Sequence, residues 1–361
     1  MVATPCLSID LEKIEHNSRV ITRLCHHSGI EVSGVTKCTC GNPQVARAML
    51  RGGVSGIADS RLENIERMRS AGIGVPFMLL RLPPLSKVER VIASTNVSLN
   101  SELAVLRNLS MAARGHQRVH DVILMVDLGD LREGLWPDEL LPAAGEVLKL
   151  PGVRLRGVGT NLSCFGGVIP TRENMNQLVS LVESIEQTFA VKMEVISGLN
   201  SSGLALLAAG GMPGRVNHAR IGEAILLGRE TTERRPWPDT HQDAFLLHAE
   251  VLELKSKPSL PLGPRRQDAF GAECAFEDRG TVPRALLNVG REDVDPSCLE
   301  PLDPRLRILG ASSGYLVVDT SALQKQPGTG DIMTFSLGYS ALLRAMTSEY
   351  VRKRFTANDA P

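Results

Sequence analysis

No stretch of this 361-residue chain approaches the ~18 consecutive apolar residues that a membrane-spanning helix needs. An apolar leader is also missing, because Asp10, Glu12, Lys13 and Glu15 follow Met1 almost at once. Net charge is absent: 40 Lys+Arg stand against 40 Asp+Glu, so nothing draws the chain generally toward nucleic acid or an anionic membrane. The seven cysteines, Cys6, Cys25, Cys38, Cys40, Cys164, Cys274 and Cys298, are odd in number and scattered. They form neither a CxxC pair nor a Cys/His cluster of zinc type, so no metal site is expected. They read as free thiols in a reducing cytoplasm. No GxGxxG follows the first strand, which argues against a dinucleotide fold. Tyrosine is scarce, with only Tyr315, Tyr339 and Tyr350. At 43% hydrophobic residues the chain is globular, and it is long enough for a barrel plus a second unit.

The spacing of Leu11, Ile14 and Ile21 predicts a first helix, opening at Ser8 and stopping at Ser28-Gly29. From Glu31 onward strands and helices alternate. Strands are expected at 31–37, 54–59, 76–81, 96–100, 121–127, 153–161, 193–197 and 216–221, with helical stretches between them. Eight such alternations in about 200 residues predict an α/β fold, a (β/α)8 TIM barrel. The charged, proline-broken segment 229–238 marks its end, so the domains are read as 1–230 and 231–361. Beyond it, short runs at 244–254, 285–289, 306–309, 315–318 and 332–335 are punctuated by glycine and carry no helical pattern between them. They predict a mostly antiparallel β domain, with residues 352–361 fraying.

The carboxyl ends of barrel strands meet at one mouth however far apart they lie in sequence. Reading those ends gathers Lys37, Asp59, Asn100, Asp127 with Arg132, Asn161, the segment 197–202 and Arg220. A lysine ending the first strand can lose part of its hydration there and form an imine with a carbonyl. The loop Ser197-Gly-Leu-Asn-Ser-Ser-Gly203 opens a helix with two glycines and hydroxyls, a way of presenting backbone amides to a phosphate. Arg220 is expected to face the lumen, where a bare charge is costly and needs an acceptor partner. Lysine, arginine and phosphate cradle together point to a phosphate-bearing aldehyde, pyridoxal 5'-phosphate.

Several stretches carry a family resemblance. They are Val35-Thr-Lys-Cys38 with Gly41-Asn-Pro43, Ile57-Ala-Asp-Ser-Arg-Leu-Glu-Asn64, and Val126-Asp-Leu-Gly129 with Arg132-Glu-Gly134. Gly157-Val-Gly-Thr-Asn161, Gly198-Leu-Asn-Ser-Ser202, Ala219-Arg-Ile-Gly222, Phe276-Glu-Asp-Arg-Gly280, Ile308-Leu-Gly-Ala-Ser-Ser313 and Leu337-Gly-Tyr-Ser-Ala341 follow in order. Across both domains the chain resembles the alanine racemase family of pyridoxal-phosphate enzymes, and most closely its ornithine and other amino-acid racemase branch. The resemblance implies a cofactor bound to Lys37, with Arg220 at the pyridine nitrogen. Asn200, Ser201, Gly222, the backbone at Glu223, and Tyr339 would lie at the phosphate, and Arg132 would support the catalytic groups. It further implies a homodimer whose second domain completes the partner's active site.

Two positions depart from the family pattern. Asn161 stands where the family has a histidine behind the ring, and Phe270 falls at the apparent position of the tyrosine that acts on the opposite face. Phenylalanine has no proton to exchange, so Cys274 is the preferred group for that face, with Asp268, Glu273 or water as alternatives. An arginine at the ring nitrogen disfavours its protonation and so favours racemisation over decarboxylation or transamination. A fold-related decarboxylase would need an acid at position 220. An aldolase would need a late His/Asp metal site, yet the last histidines are His241 and His248. A non-catalytic cofactor carrier could stop near Gly228. The expected activity is therefore an amino-acid racemase, and a basic substrate would need an acid among Asp59, Glu133 and Glu223.

Overall fold

The computed structural model describes residues 3–273 and 275–356, and the chain divides into two units. One unit is Leu11–Gln242; the other joins Met1–Asp10 to Asp243–Pro361. The second unit therefore begins with strand β1 (Cys6–Asp10), which takes in Ser8, the residue expected to open a helix. The helix α1 starts only at Leu11 and runs to His27. Ser8 and Asp10 look like helix-start residues locally, but long-range pairing with strands from the far end of the chain overrides that signal. The domain boundary consequently lies twelve residues beyond 230 (242 − 230), and the first ten residues change sides.

In the Leu11–Gln242 unit, eight strands among the described residues close into a parallel barrel. They are β2 (Glu31–Val35), β3 (Gly56–Asp59), β4 (Phe77–Leu79), β5 (Val97–Asn100), β6 (His120–Met125), β7 (Val153–Gly159), β8 (Val195–Leu199) and β9 (His218–Ile221). Each contiguous pair is parallel, and β2 closes the ring on β9 with Ser33 opposite Arg220. Buried on both faces, β3, β5 and β9 carry no exposed residue, as parallel strands under a layer of helices should. Val35, Ala58, Met78, Val97, Leu99, Ile123 and Met125 form one apolar cluster across β2 to β6.

The helices that matter for the site are α2 (Pro43–Arg51), α3 (Leu62–Ser70), α4 (Val88–Ser94), α5 (Leu103–Gly115), α6 (Pro137–Val147), α7 (Arg172–Phe189), α8 (Leu204–Ala208) and α9 (Glu223–Leu227). Helix α1 buries Leu11, Ile14, Ser18, Ile21 and Cys25 along one stripe, at i, i+3, i+7, i+10 and i+14, which extends the spacing of Leu11, Ile14 and Ile21 seen in the sequence. Buried Asn17 on that stripe donates to the carbonyls of Ile225 (3.0 Å) and His241 (2.8 Å) and accepts from the His241 amide (2.7 Å). One side chain thus ties the entry helix of the barrel to its exit.

The other unit is a mostly antiparallel sheet, ordered β12 (Leu299–Pro301), β15 (Ile332–Leu337), β10 (Phe245–Pro258), β11 (Thr281–Leu287), β14 (Leu316–Asp319) and β13 (Arg307–Ala311). Its long strand β10 buries Phe245, Leu247, Ala249 and Val251 in alternation. Strand β1 pairs antiparallel with β10 and parallel with β16 (Arg352–Thr356). Residues 352–356, expected to fray, are thus a strand. A helix, α10 (Tyr339–Thr347), also interrupts the run of strands, burying Ala341, Leu342, Ala345 and Met346. The six described cysteines are free thiols. Among the described residues no helix is long and apolar enough to cross a membrane, and no group of three metal-ligating side chains occurs.

Candidate active site

Lys37 does not end the first barrel strand but opens the short 3-10 turn that follows it, Lys37–Thr39. The turn is fixed from beneath by Asp59, which is fully buried at the end of β3. Its carboxylate accepts from Thr36 Oγ1 (2.7 Å), Asn64 Nδ2 (2.9 Å) and the Arg61 amide (2.9 Å). Burial pushes the Asp59 carboxyl up, and those donors oppose the rise. Arg67 from α3 also caps the Cys40 carbonyl. Gly41 turns the chain at φ +59°, and a Cβ there would lie 2.5 Å from Asn64 Cβ. Gly41→Ala therefore meets both left-handed strain and a clash. We expect a loss of roughly 2 kcal/mol or more, read as a lower urea midpoint, and a displaced Lys37.

Lys37 itself is half-buried, and among the described residues no hydrogen bond or ion pair holds its amine. Its electrostatic neighbour is Glu223, at the start of α9. The Glu223 carboxyl is pushed up by burial, against the pull of Arg234, 2.6 Å away, and of Lys37.

On β9, the strand beside β2, buried Arg220 donates from Nη1 to the Ser197 carbonyl (2.9 Å) and to Ser197 Oγ, and from Nη2 to the Thr160 carbonyl (2.6 Å). The acceptor partner expected for a lumen charge is therefore backbone and hydroxyl oxygen. Burial lowers the guanidinium to about 10, aided by Arg132 and opposed by Glu133 and Cys164, so it stays charged at neutral pH. Arg132 and Glu133 pair with each other on the loop after β6. Asp127 shapes that loop by accepting from the amides of Gly129 (2.8 Å), Leu131 (3.2 Å) and Arg132 (3.0 Å). Gly134 allows it to return, since a Cβ there would meet the Asp127 amide nitrogen at 2.4 Å. Asp130 fastens the next loop through the amides of Cys164 (3.1 Å), Phe165 (2.9 Å) and Val168 (3.3 Å).

Asn200 accepts from the Ser202 amide (2.8 Å) and donates to the Leu162 carbonyl (2.9 Å), with Asn161 Oδ1 at 3.3 Å. Ser201 Oγ receives the Ala224 amide at 3.2 Å, so the segments that follow β8 and β9 meet there. Gly222 packs where a Cβ would stand 3.1 Å from Val35 Cβ. Three buried polar atoms at strand ends have no partner among the described residues: Asn100 Oδ1, Thr160 Oγ1 and Asn161 Nδ2. Orphaned groups of this kind are uncommon in a finished core and suit a site that receives a polar ligand.

The structure thus groups Lys37 with Glu223, Arg220 with Arg132, and Asn161 with Asn200 and Ser201. Tyr339 opens α10 in the β unit, behind Gly338. Phe270 is half-exposed in that unit, with the Arg291 guanidinium 4.5 Å above its ring, and Asp268 accepts the Phe270 amide at 2.8 Å. Cys274 lies outside the described residues. Sequence reading passed over His218, which contacts Ser33 and Ser197; the two-residue spacing from Arg220 places both on one strand face.

Burial first, then the charges of Arg220 and Arg156, hold the His218 imidazole down to about 3, and burial holds His120 to about 4. Both values lie below the unfolded 6.5, so the unfolded chain binds more protons. Stability is full above about pH 6.5 and falls as pH drops toward those values. At pH 5 each ring costs on the order of 2 kcal/mol. Urea unfolding at pH 7.5 and 5.0 measures the loss; equal midpoints would contradict it.

Residues 9–230 match the family described as alanine racemase, N-terminal domain. The chain is 40% identical to an ornithine racemase of Acetoanaerobium sticklandii over 350 residues, 97% of this chain and 99% of that one. It is also 40% identical to a lysine racemase of Thermotoga maritima, covering 97% and 98%. In fold it is similar to the alanine racemase of D-cycloserine-producing Streptomyces lavendulae, with TM-score 0.76, 18% identity and coverage of 99% and 98%. It is likewise similar to an alanine racemase of Bartonella henselae with covalently bound pyridoxal phosphate, at TM-score 0.76, 18% identity and coverage of 98% and 100%.

Proposed function

For a chain that belongs to the alanine racemase family and is an amino-acid racemase, we propose pyridoxal 5'-phosphate as the cofactor and a basic amino acid as the substrate. The observation that carries this reading is the barrel mouth itself. It combines a Lys37 amine that no hydrogen bond or ion pair holds among the described residues, a charged Arg220 on the neighbouring strand β9, and polar atoms on Thr160 and Asn161 after β7 that lack a partner among the described residues. These residues fit the cofactor, which when bound supplies an electron sink that makes the α-hydrogen of an attached amino acid acidic. Lys37 would anchor it and move the α-proton on one face. Ser201, Gly222, the backbone at Glu223, and Tyr339 would hold the phosphate, with Asn200 shaping the loop and Asn161 offering its free amide. Arg220, kept charged, would disfavour a proton on the ring nitrogen, and Arg132 would support the catalytic groups.

The relatives named for ornithine and lysine support a substrate with a second ammonium group. Of the three acids weighed for it, Asp59 is already engaged by Thr36, Asn64 and Arg61. Glu133 pairs with Arg132 and Glu223 with Arg234, a single side-chain partner each against the three donors on Asp59, and these two remain the candidates. A panel of L-amino acids with chiral product analysis tests the reading: D-ornithine or D-lysine should form fastest. Replacing the responsible acid by Gln should cut kcat/KM for those substrates about tenfold or more while sparing neutral ones. Racemisation confined to neutral amino acids would refute the substrate assignment.

We propose a homodimer in which the β unit completes the partner's site, and cytoplasmic residence. A monomer that is fully active at assay concentration would end the dimer reading. On the second face, Phe270 has no proton to give, and Cys274 remains our candidate. Cys274→Ala should abolish α-proton exchange in deuterated buffer from one enantiomer while the other keeps it through Lys37. Undiminished exchange from both would remove the thiol from the mechanism.

A further inference from the structure

A buried chain of hydrogen bonds runs through the barrel below Arg220. His218 Nδ1 is 2.7 Å from Ser197 Oγ, His218 Nε2 is 3.0 Å from Ser33 Oγ, and Ser197 Oγ lies within hydrogen-bond reach of Arg220 Nη1. The residues come from β2, β8 and β9, and all are buried.

Proton counting fixes the first bond of this chain and favours one direction for the rest. A guanidinium only donates, so Ser197 Oγ must accept from Arg220. The serine then has one hydrogen to give, and His218 Nδ1 is the acceptor within reach. Were that nitrogen protonated, Ser197 Oγ could accept from it too, but the serine's own fully buried hydrogen would then have no acceptor among the described residues; the neutral ring with its hydrogen on Nε2, donating to Ser33 Oγ, avoids that loss. We propose that His218 is a positioning residue: as the Nε2–H tautomer it acts through Ser197 to aim the Arg220 guanidinium at the mouth.

The charges around the ring agree with this. Arg220 on its own strand and Arg156 on β7 are the cations that bear on it, while β2 and β8 present the neutral hydroxyls of Ser33 and Ser197. A protonated ring would add a further cation beside Arg220 and lose its acceptor. The Ser197 carbonyl and the Thr160 carbonyl hold the guanidinium from its other bonds, so the histidine sets the aim rather than the presence of the arginine.

The part that concerns catalysis rests on the reading that Arg220 stands at the cofactor; the tautomer does not. Two-bond 1H–15N spectra of 15N-histidine-labelled protein should show His218 with an unprotonated Nδ1 and a protonated Nε2, unchanged from pH 8 to pH 5. A proton on Nδ1, or a ring that charges above pH 5, overturns the proposal whatever the enzyme's substrate. In the active enzyme, His218→Leu and Ser197→Ala should each lower kcat about tenfold with KM changed less than twofold. The double variant should fall no further than either, because both break one chain. Multiplying losses, or an undiminished kcat in Ser197→Ala, would overturn the relay. If His218→Leu does not fold, Ser197→Ala and the tautomer measurement decide alone.

Discussion

Lys37→Ala is expected to lower racemisation at least about a thousand-fold, the largest effect of any single substitution in this chain. The argument is local. Asp59, Asn64 and Arg67 hold the turn that carries Lys37 without using its amine, so those contacts survive the substitution and the fold should too. What is lost is the group that anchors the cofactor and moves the proton. Borohydride treatment of the native protein followed by peptide mass analysis should place the reduced pyridoxyl label on Lys37. Label on another lysine, or an alanine variant within tenfold of native, would falsify the assignment.

The second large effect is expected at Arg220, in stability and chemistry together. Its guanidinium satisfies two carbonyls and a hydroxyl in a site that excludes water, so Arg220→Met leaves those acceptors without partners. The expected cost is ~3 kcal/mol. Arg220→Lys should not restore it, since a single ammonium cannot reach Thr160 and Ser197 with the same planar fork. Arg220→Glu changes the chemistry as well. An acid beside the ring nitrogen favours its protonation, so racemisation should slow about a hundred-fold, with a larger share of turnovers ending as 2-oxo acid. Chiral chromatography alongside 2-oxo acid detection reads both. A glutamate variant that racemises normally and forms no 2-oxo acid shows that Arg220 does not face the ring.

Much of the barrel was legible because its strands are short apolar runs set between helices with Gly and Pro punctuation, and that pattern is local. Helices such as α2 announce themselves, with Asn42 accepting the amides of Gln44 and Val45 and Pro43 opening the first turn. The β unit was harder. Nothing near Ser8 tells a reader that its partners are Leu246 and Arg354, because register with distant strands is not encoded beside the residue itself. Helix α10 had a readable stripe, Leu342, Ala345 and Met346, but too few turns to stand out among strands. For the candidate site, Lys37, Arg220 and Asn161 were singled out because each lies at or just past the end of a barrel strand. His218 was missed because its importance lies in two serines on neighbouring strands, a relation visible only once the ring is closed.

The pairing of β1 with both β10 and β16 also sets an order of events during synthesis. Residues 6–10 leave the ribosome before the barrel does, yet their partners at 245–248 and 352–356 are made only after the whole barrel has been translated. The barrel is thus, in the logic of the chain, an insertion between the first strand of the sheet and the rest of it. A nascent chain halted after Gln242 holds every barrel strand and one stranded edge, so the barrel can form early while the sheet waits. Moving residues 1–10 to the far end by circular permutation should leave the barrel untouched and let the sheet assemble from consecutive chain.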